Sequence, residues 1–250
     1  MQQINPGLNT YCSRQDGDMI LYANSDSYGV EANGGKVYSH FLGELLGCDR
    51  VVNNGLSGSC NSRIIRTTLR DLMQLREENR DQDITAVICL GSMIRHEWWD
   101  ISQPPVDNDG HFRSFQIHGV MNDKSLPYYK YAMEWYRVWD DEAQQTNLFR
   151  DLVMLTAWLR LHNIKYVIFA GSEFTYKKIA YDDVFIEHFA QAVFKDPGIM
   201  NLNEFSFIKT CLAAGFVPYD YQQWQNFGHH AEPAHEYFAT ILKEKIHQSS

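Results

Sequence analysis

Two patterns of apolar and polar residues alternate along this chain of 250 residues. Short apolar runs end in glycine or small polar residues, and between them lie longer stretches with apolar positions three and four apart. Residues 19–23 (MILYA) read as a buried strand running into the turn NSDSYG. Residues 36–46 read as a helix with Val37, Phe41 and Leu45 on one face and Gly47 as its C-cap. A short strand at 50–52 leads into a glycine-rich turn, NNGLSGSCNSR. Residues 63–79 form an amphipathic helix through Ile64, Ile65, Leu69, Leu72, Met73 and Leu75. Residues 83–91 (DITAVICLG) are continuously apolar, as in a parallel strand covered on both faces. The remaining elements are a helix at 146–161 on Leu148, Leu152, Leu155 and Leu159, a strand at 164–171 and a helix at 203–214. A short strand beginning at Phe216 and Val217 and a terminal helix at 235–246, with Phe238, Ile241 and Leu242, end the pattern. Strands alternating with helices predict an α/β fold with a mostly parallel sheet and helices on both faces.

Two stretches stand outside this alternation. Residues 1–18 are polar and read as an extended N-terminal arm. Residues 92–145 lose periodicity but hold Trp98, Trp99, Trp135 and Trp139 with Tyr128, Tyr129 and Tyr131. That stretch reads as an aromatic-rich insertion over the end of the sheet, either a packed excursion or a substrate-binding lid. No linker, repeat or low-complexity tract divides the chain, so residues 1–250 are expected to form a single domain.

The net charge of −9 argues against a protein that lives on nucleic acid or an anionic membrane, since phosphate is bound by an excess of Lys and Arg. The five cysteines (Cys12, Cys48, Cys60, Cys89, Cys211) are scattered, with neither metal-ligand spacing nor a disulfide framework. The first 18 residues lack a basic start and an apolar core, and no apolar run approaches the roughly 20 residues needed to span a bilayer. The expected location is cytoplasmic.

Ligands of a parallel α/β sheet bind at the carboxyl ends of its strands, where three loops of this chain hold matching chemistry. Asp26-Ser27 closes the first strand, where a serine is fixed by the sheet yet faces solvent; as a plain alternative, Ser25, Asp26 and Ser27 cap a helix. Asn53 to Gly58 supplies glycines that turn backbone N–H groups toward an oxyanion. Asn226-Phe227-Gly228-His229-His230 precedes the terminal helix. A serine, a donor loop and a late histidine are the parts needed for acyl transfer.

These residues resemble the blocks of the SGNH/GDSL hydrolases. SDSYG is similar to the GDSL block, with Ser27 at the nucleophile and Ser25 in place of the leading glycine. NNGLSGSC matches the second block, Asn-x-Gly-x-Ser-Gly-x-Thr, with Gly58 at the oxyanion glycine and Cys60 at the threonine. ICLGSM lies where the third block falls, and NFGHHAEPAHEYFA is similar to the last. GSCNSRIIRTT followed by RHEWW also looks like a branch of these proteins found in phage genomes. The resemblance implies a flavodoxin-like three-layer α/β/α fold, an esterase or related acyl hydrolase, and neither metal nor cofactor. The ester it implies is attacked by Ser27 with the amides of Ser27 and Gly58 on the oxyanion, and the aromatics of the insertion, which suit sugar faces as well as acyl chains, point to a small or carbohydrate-linked ester.

The chain also departs from the blocks. The third-block asparagine is missing from Gly91-Ser92-Met93-Ile94, leaving Ser92, Asn61 or Arg95 as substitutes and Asp26 as a further neighbour of substrate. The acid before the catalytic histidine is Asn226, which can orient an imidazole but not offset its charge. Three histidines compete for the base: His229 with Asn226, His230, and His235 with Glu232 three residues ahead. Arg95 and Glu97 read either as a buried ion pair holding the insertion or with Arg95 facing substrate. Three functions share these residues: a serine esterase, an SGNH-fold binding or structural module that has lost catalysis, and an O-acyltransferase.

Overall fold

The computed structural model describes residues 9–12, 19–30, 35–102, 104, 109–110, 112–116, 123–126, 128–172, 184–218 and 229–248, with backbone alone at 9–12, 114–116 and 184–186. The main sheet joins five strands: β1 (Asn9–Cys12), β2 (Met19–Asn24), β3 (Arg50–Asn53), β4 (Asp83–Leu90) and β7 (Lys165–Ala170), in the order β1-β3-β2-β4-β7. β3, β2, β4 and β7 run parallel, and β1 closes the edge antiparallel to β3. The parallel strands therefore follow the 2-1-3-4 order of a flavodoxin-like sheet, as expected. Part of the polar N-terminal arm is thus an edge strand.

Both faces of the sheet are buried, which explains why its strands read as unbroken apolar runs. Ile84, Ala86, Ile88 and Leu90 of β4 face one core layer, with α2 (Asn61–Glu78), α4 (Asp141–Leu161) and α5 (Val184–Lys195) over them. Val87 and Cys89 face the other, under α1 (Tyr38–Leu46), α6 (Phe207–Ala213) and α7 (Glu232–Gln248). Helix α4 buries Leu148, Leu152, Leu155 and Leu159, the face read from the sequence.

Four sequence expectations are corrected. Helix α1 buries Tyr38 and Leu42; of the expected 37/41/45 stripe, Val37 is buried at the N-cap and Phe41 packs against the core, but Leu45 is exposed. On α2, Met73 is exposed while Thr67, Thr68 and Asp71 are buried, since a polar network lies beneath them. Phe216 and Val217 form no strand: the Phe216 N–H returns to the Cys211 carbonyl (2.9 Å) and closes α6. The insertion contains regular structure after all, an antiparallel pair β5 (Arg95–Trp99) and β6 (Phe112–Gln116) followed by α3 (Tyr129–Arg137). A small aromatic cluster of its own, with Trp98, Tyr128, Tyr129 and Trp135 around Ala132, supports it.

Ion pairs fasten the insertion to α2. Arg66 donates to Glu97 (2.5 Å), lies 4.0 Å over the Phe112 ring and reaches Asp109 (3.3 Å). Arg63 donates to Asp109 at 2.6 Å with both side chains almost fully buried. Glu97 is therefore paired with Arg66 and not with Arg95.

Candidate active site

The site grows from the end of β2. Asn24 is fully buried and donates to the Ile64 carbonyl (3.0 Å), Thr67 Oγ1 (2.8 Å) and Thr68 Oγ1 (3.0 Å), while its Oδ1 accepts the Ser25 N–H (2.9 Å). This side chain ends the strand at a fixed point on α2. Asp26 then caps a three-residue 3-10 turn, Ser27–Gly29, by accepting the Tyr28 N–H at 3.2 Å. Ser25 and Asp26 are buried and Ser27 is half-buried, so the turn lifts the second serine toward solvent.

The glycine loop is clamped onto this turn. The Leu56 N–H donates to the Ser25 carbonyl (3.1 Å), Asn53 Nδ2 to the Gly29 carbonyl (2.8 Å), and the Gly55 N–H to Asn53 Oδ1 (3.0 Å). A Cβ on Gly29 or Gly55 would stand 2.0 or 2.6 Å from Ser25 Oγ, so these two glycines make room for the Ser25 side chain. Gly58 has φ +83°, a left-handed conformation that favours glycine. Asn54 Nδ2 donates to Asp71 Oδ2 (2.6 Å), which also accepts from the Tyr22 hydroxyl (3.0 Å). Burial pushes the Asp71 carboxyl above its ordinary range, opposed by Arg70.

Arg95 ties the third loop to the other two. Its Nη1 donates to Asp26 Oδ2 (2.9 Å) and to the Ser59 carbonyl (3.2 Å). Burial raises the Asp26 pKa, and the Arg95 charge opposes that rise. The Gly91 N–H donates to Asn61 Oδ1 at 2.8 Å, which orients the Asn61 carboxamide, while Ser92 Oγ accepts the Ile94 N–H (3.4 Å) within its own turn. Asp26, Ser27, Asn61, Ser92, Arg95 and the Gly58 loop thus meet at the carboxyl end of the sheet.

The three histidines occupy different places. The His229 ring is half-buried, with its centroid 5.9 Å from that of Tyr28, the residue after Ser27. His230 is buried, with Nε2 hydrogen-bonded to the Phe216 carbonyl (3.1 Å). His235 is buried on α7, stacked on Phe207 at 4.8 Å, and its Nδ1 accepts the Tyr38 N–H (3.3 Å). Glu232 accepts the Lys36 N–H (2.6 Å). Both members of the His235–Glu232 pair therefore anchor the start of α1. Asn226 lies outside the described residues. Among those described, no three His, Cys, Asp or Glu side chains gather as a metal site, and no helix is long and apolar enough to cross a membrane.

Sequence reasoning missed Asn24, Arg63 and Asp71, although Thr67, Thr68 and Asp71 at intervals of one helical turn or less marked a polar patch on an apolar helix face.

Burial pushes the His235 pKa down to about 4, helped by the neighbouring His230. An unfolded histidine titrates near 6.5, so between these values the unfolded chain binds the proton that the folded chain refuses. Stability is full above pH ~6.5 and is lost as pH falls toward 4, by about 3 kcal/mol from this group. Urea midpoints measured across that range should fall with pH, and His235→Asn should remove about half of the histidine contribution to the slope. His96, likewise pushed down to about 4 by burial, leaves a residual slope in the variant.

The fold defines an α/β protein with a doubly wound, mostly parallel sheet whose carboxyl-end loops surround a half-buried serine. The family model matching residues 23–181 is described as a family of unknown function (DUF6071), and the chain belongs to that family. No curated protein matches the sequence. Among solved structures, it is similar to the psychrotrophic esterase EstA from Pseudoalteromonas sp. at 12% identity, covering 93% of this chain and 98% of that one with a TM-score of 0.44. It is similar to a mutant of Axe2, an acetyl-xylooligosaccharide esterase from Geobacillus stearothermophilus, at 17% identity, 92% and 94% coverage and a TM-score of 0.41. A GDSL-like lipase from Parabacteroides merdae matches at 14% identity, 94% and 98% coverage and a TM-score of 0.37.

Proposed function

We propose that this protein is a serine ester hydrolase of the SGNH/GDSL type, acting on a small or carbohydrate-linked ester through an acyl-enzyme on Ser27. The observation that carries the reading is the half-buried Ser27 on a turn locked by Asp26 and clamped by the Asn53–Gly58 loop, with the His229 ring beside Tyr28. Ser27 Oγ attacks the ester carbonyl while His229 takes its proton, and the amides of Ser27 and Gly58 hold the oxyanion. Collapse of the tetrahedral intermediate expels the alcohol, protonated by His229. A water then attacks the acyl-enzyme with the same histidine as base, returning Ser27 and releasing the acid. Asn226 orients the ring in this scheme. His229 is preferred over His235 because His235 is buried and already holds the Tyr38 N–H.

The absence of a third-block asparagine and of an acid at 226 favours a second reading, a site that binds without turnover. A fluorophosphonate probe separates the two, because phosphonylation needs an activated hydroxyl. The expected result is one adduct on the peptide containing Ser27. A chain that stays unlabelled while folded overturns the esterase reading.

A further inference from the structure

Beside the serine cluster, the N-terminal turn of α2, the loop after β4 and the first turns of α4 line a partly open cavity of about 40 Å³. Asn61, Arg95, Gln144, Asn147 and Asp151 line it over an apolar floor that includes Met93. Two of these side chains also belong to the cluster: Asn61 through Gly91, and Arg95 through Asp26 and Ser59. The cavity therefore shares a wall with the place where an ester carbonyl would meet Ser27.

Its chemistry is selective. The Nε of Arg95 is buried and has no hydrogen-bond partner among the described residues, a costly state for a charged donor unless a ligand or solvent completes it. Asn61 spends its Oδ1 on Gly91, which leaves its NH2 as a donor. Asn147 Oδ1 accepts from Arg150 (3.2 Å), again leaving the amide donors. Charge is balanced on both sides, Arg95 by Asp26 (2.9 Å) and Asp151 by Arg150 (2.7 Å), so the cavity has no net attraction for an anion. Carboxamides and a carboxylate place donors and acceptors together, which disfavours a purely apolar group and suits hydroxyls, which both give and accept. The volume admits about three water-sized groups.

We infer that this cavity is a specificity subsite for a hydroxyl-bearing part of the ester, a proposal that rests on the esterase reading above. The hydroxyls belong either to a short hydroxyacyl group or to a polyol alcohol. A site built to hydrogen-bond a hydroxyl rejects the analogue that lacks it, because its own polar groups are then left unpaired. Two substrate pairs distinguish the sources: p-nitrophenyl glycolate against p-nitrophenyl acetate, and glycerol monoacetate against propyl acetate. Each ratio of kcat/KM is divided by the ratio of the hydroxide-catalysed rates to remove intrinsic reactivity. The expected result is a preference of about tenfold or more for the hydroxylated member of one pair. Gln144→Leu/Asn147→Leu should bring that ratio to within about twofold, with the folded state checked by thermal unfolding. If the double variant does not fold, Gln144→Leu alone carries the same expectation of a reduced ratio. Ratios near one for both pairs in the wild type, or a preference the variants leave intact, overturn the subsite while Ser27-dependent hydrolysis still stands. Absence of any Ser27-dependent hydrolysis overturns the esterase reading and the subsite together.

Discussion

Ser27→Ala should abolish hydrolysis of p-nitrophenyl acetate, lowering kcat by about 10⁴-fold or more, as removal of a nucleophile does in a serine hydrolase. The melting temperature should move by no more than about 2 °C, since Ser27 is half-buried and the turn is held by other groups. Those groups are the Asp26 carboxylate on the Tyr28 N–H, Asn53 on the Gly29 carbonyl and the Leu56 N–H on the Ser25 carbonyl. The contrast with its neighbour is informative. Ser25 is fully buried and its hydroxyl donates to the Asp26 carbonyl (2.9 Å), so Ser25→Ala should alter stability before chemistry. Equal rates for wild type and Ser27→Ala would remove the serine from the mechanism.

The largest loss of stability is expected at Arg63→Leu. Arg63 is buried on α2, donating to Asp109 in the insertion (2.6 Å), to Ser59 Oγ (3.1 Å) and, at 3.5 Å, to the Asn54 carbonyl. Removing it leaves the Asp109 carboxylate desolvated and, among the described residues, with the 3.3 Å contact to Arg66 as its remaining ion pair. Breaking one half of a buried pair costs about 3–5 kcal/mol, and the remaining Arg66 contact places the loss near the lower figure. For a chain of this size that corresponds to a fall in Tm of about 10 °C by circular dichroism. Arg63→Leu/Asp109→Leu should regain much of the loss, because no uncompensated charge is left. A single variant that melts within about 2 °C of the wild type would show that the pair contributes nothing. Arg63 also joins the insertion to the glycine loop, so the single variant should loosen both at once.

How much of this was legible beforehand depends on the residue. The turn that carries Ser27 and the loop that carries Gly58 are legible from strand endings and glycine spacing, because those signals are local. The partner of Arg95 was not: Glu97, two residues away, was the obvious choice, but Asp26 is 69 residues distant and meets it only across the carboxyl end of the sheet. Among the histidines, spacing alone left His229, His230 and His235 in competition. In the structure their burial differs: His230 and His235 are buried, His235 against Phe207 and Tyr38, while His229 is half-buried. Likewise, Leu45 matched the periodic face of α1 but is exposed, because the Glu232 and His235 contacts to its first turn fix the rotation of the helix.

The sequence by itself determined the alternation of strand and helix, the parallel sheet and the three loops at its carboxyl end. Apolar runs with their glycine stops bury surface in only a few arrangements. Tertiary structure decided the pairing of charges, the burial of Ser25 and of two of the three histidines, and the residues that line the neighbouring cavity. Those outcomes depend on which polar groups are forced together out of water, and that is set by packing between elements far apart in the chain.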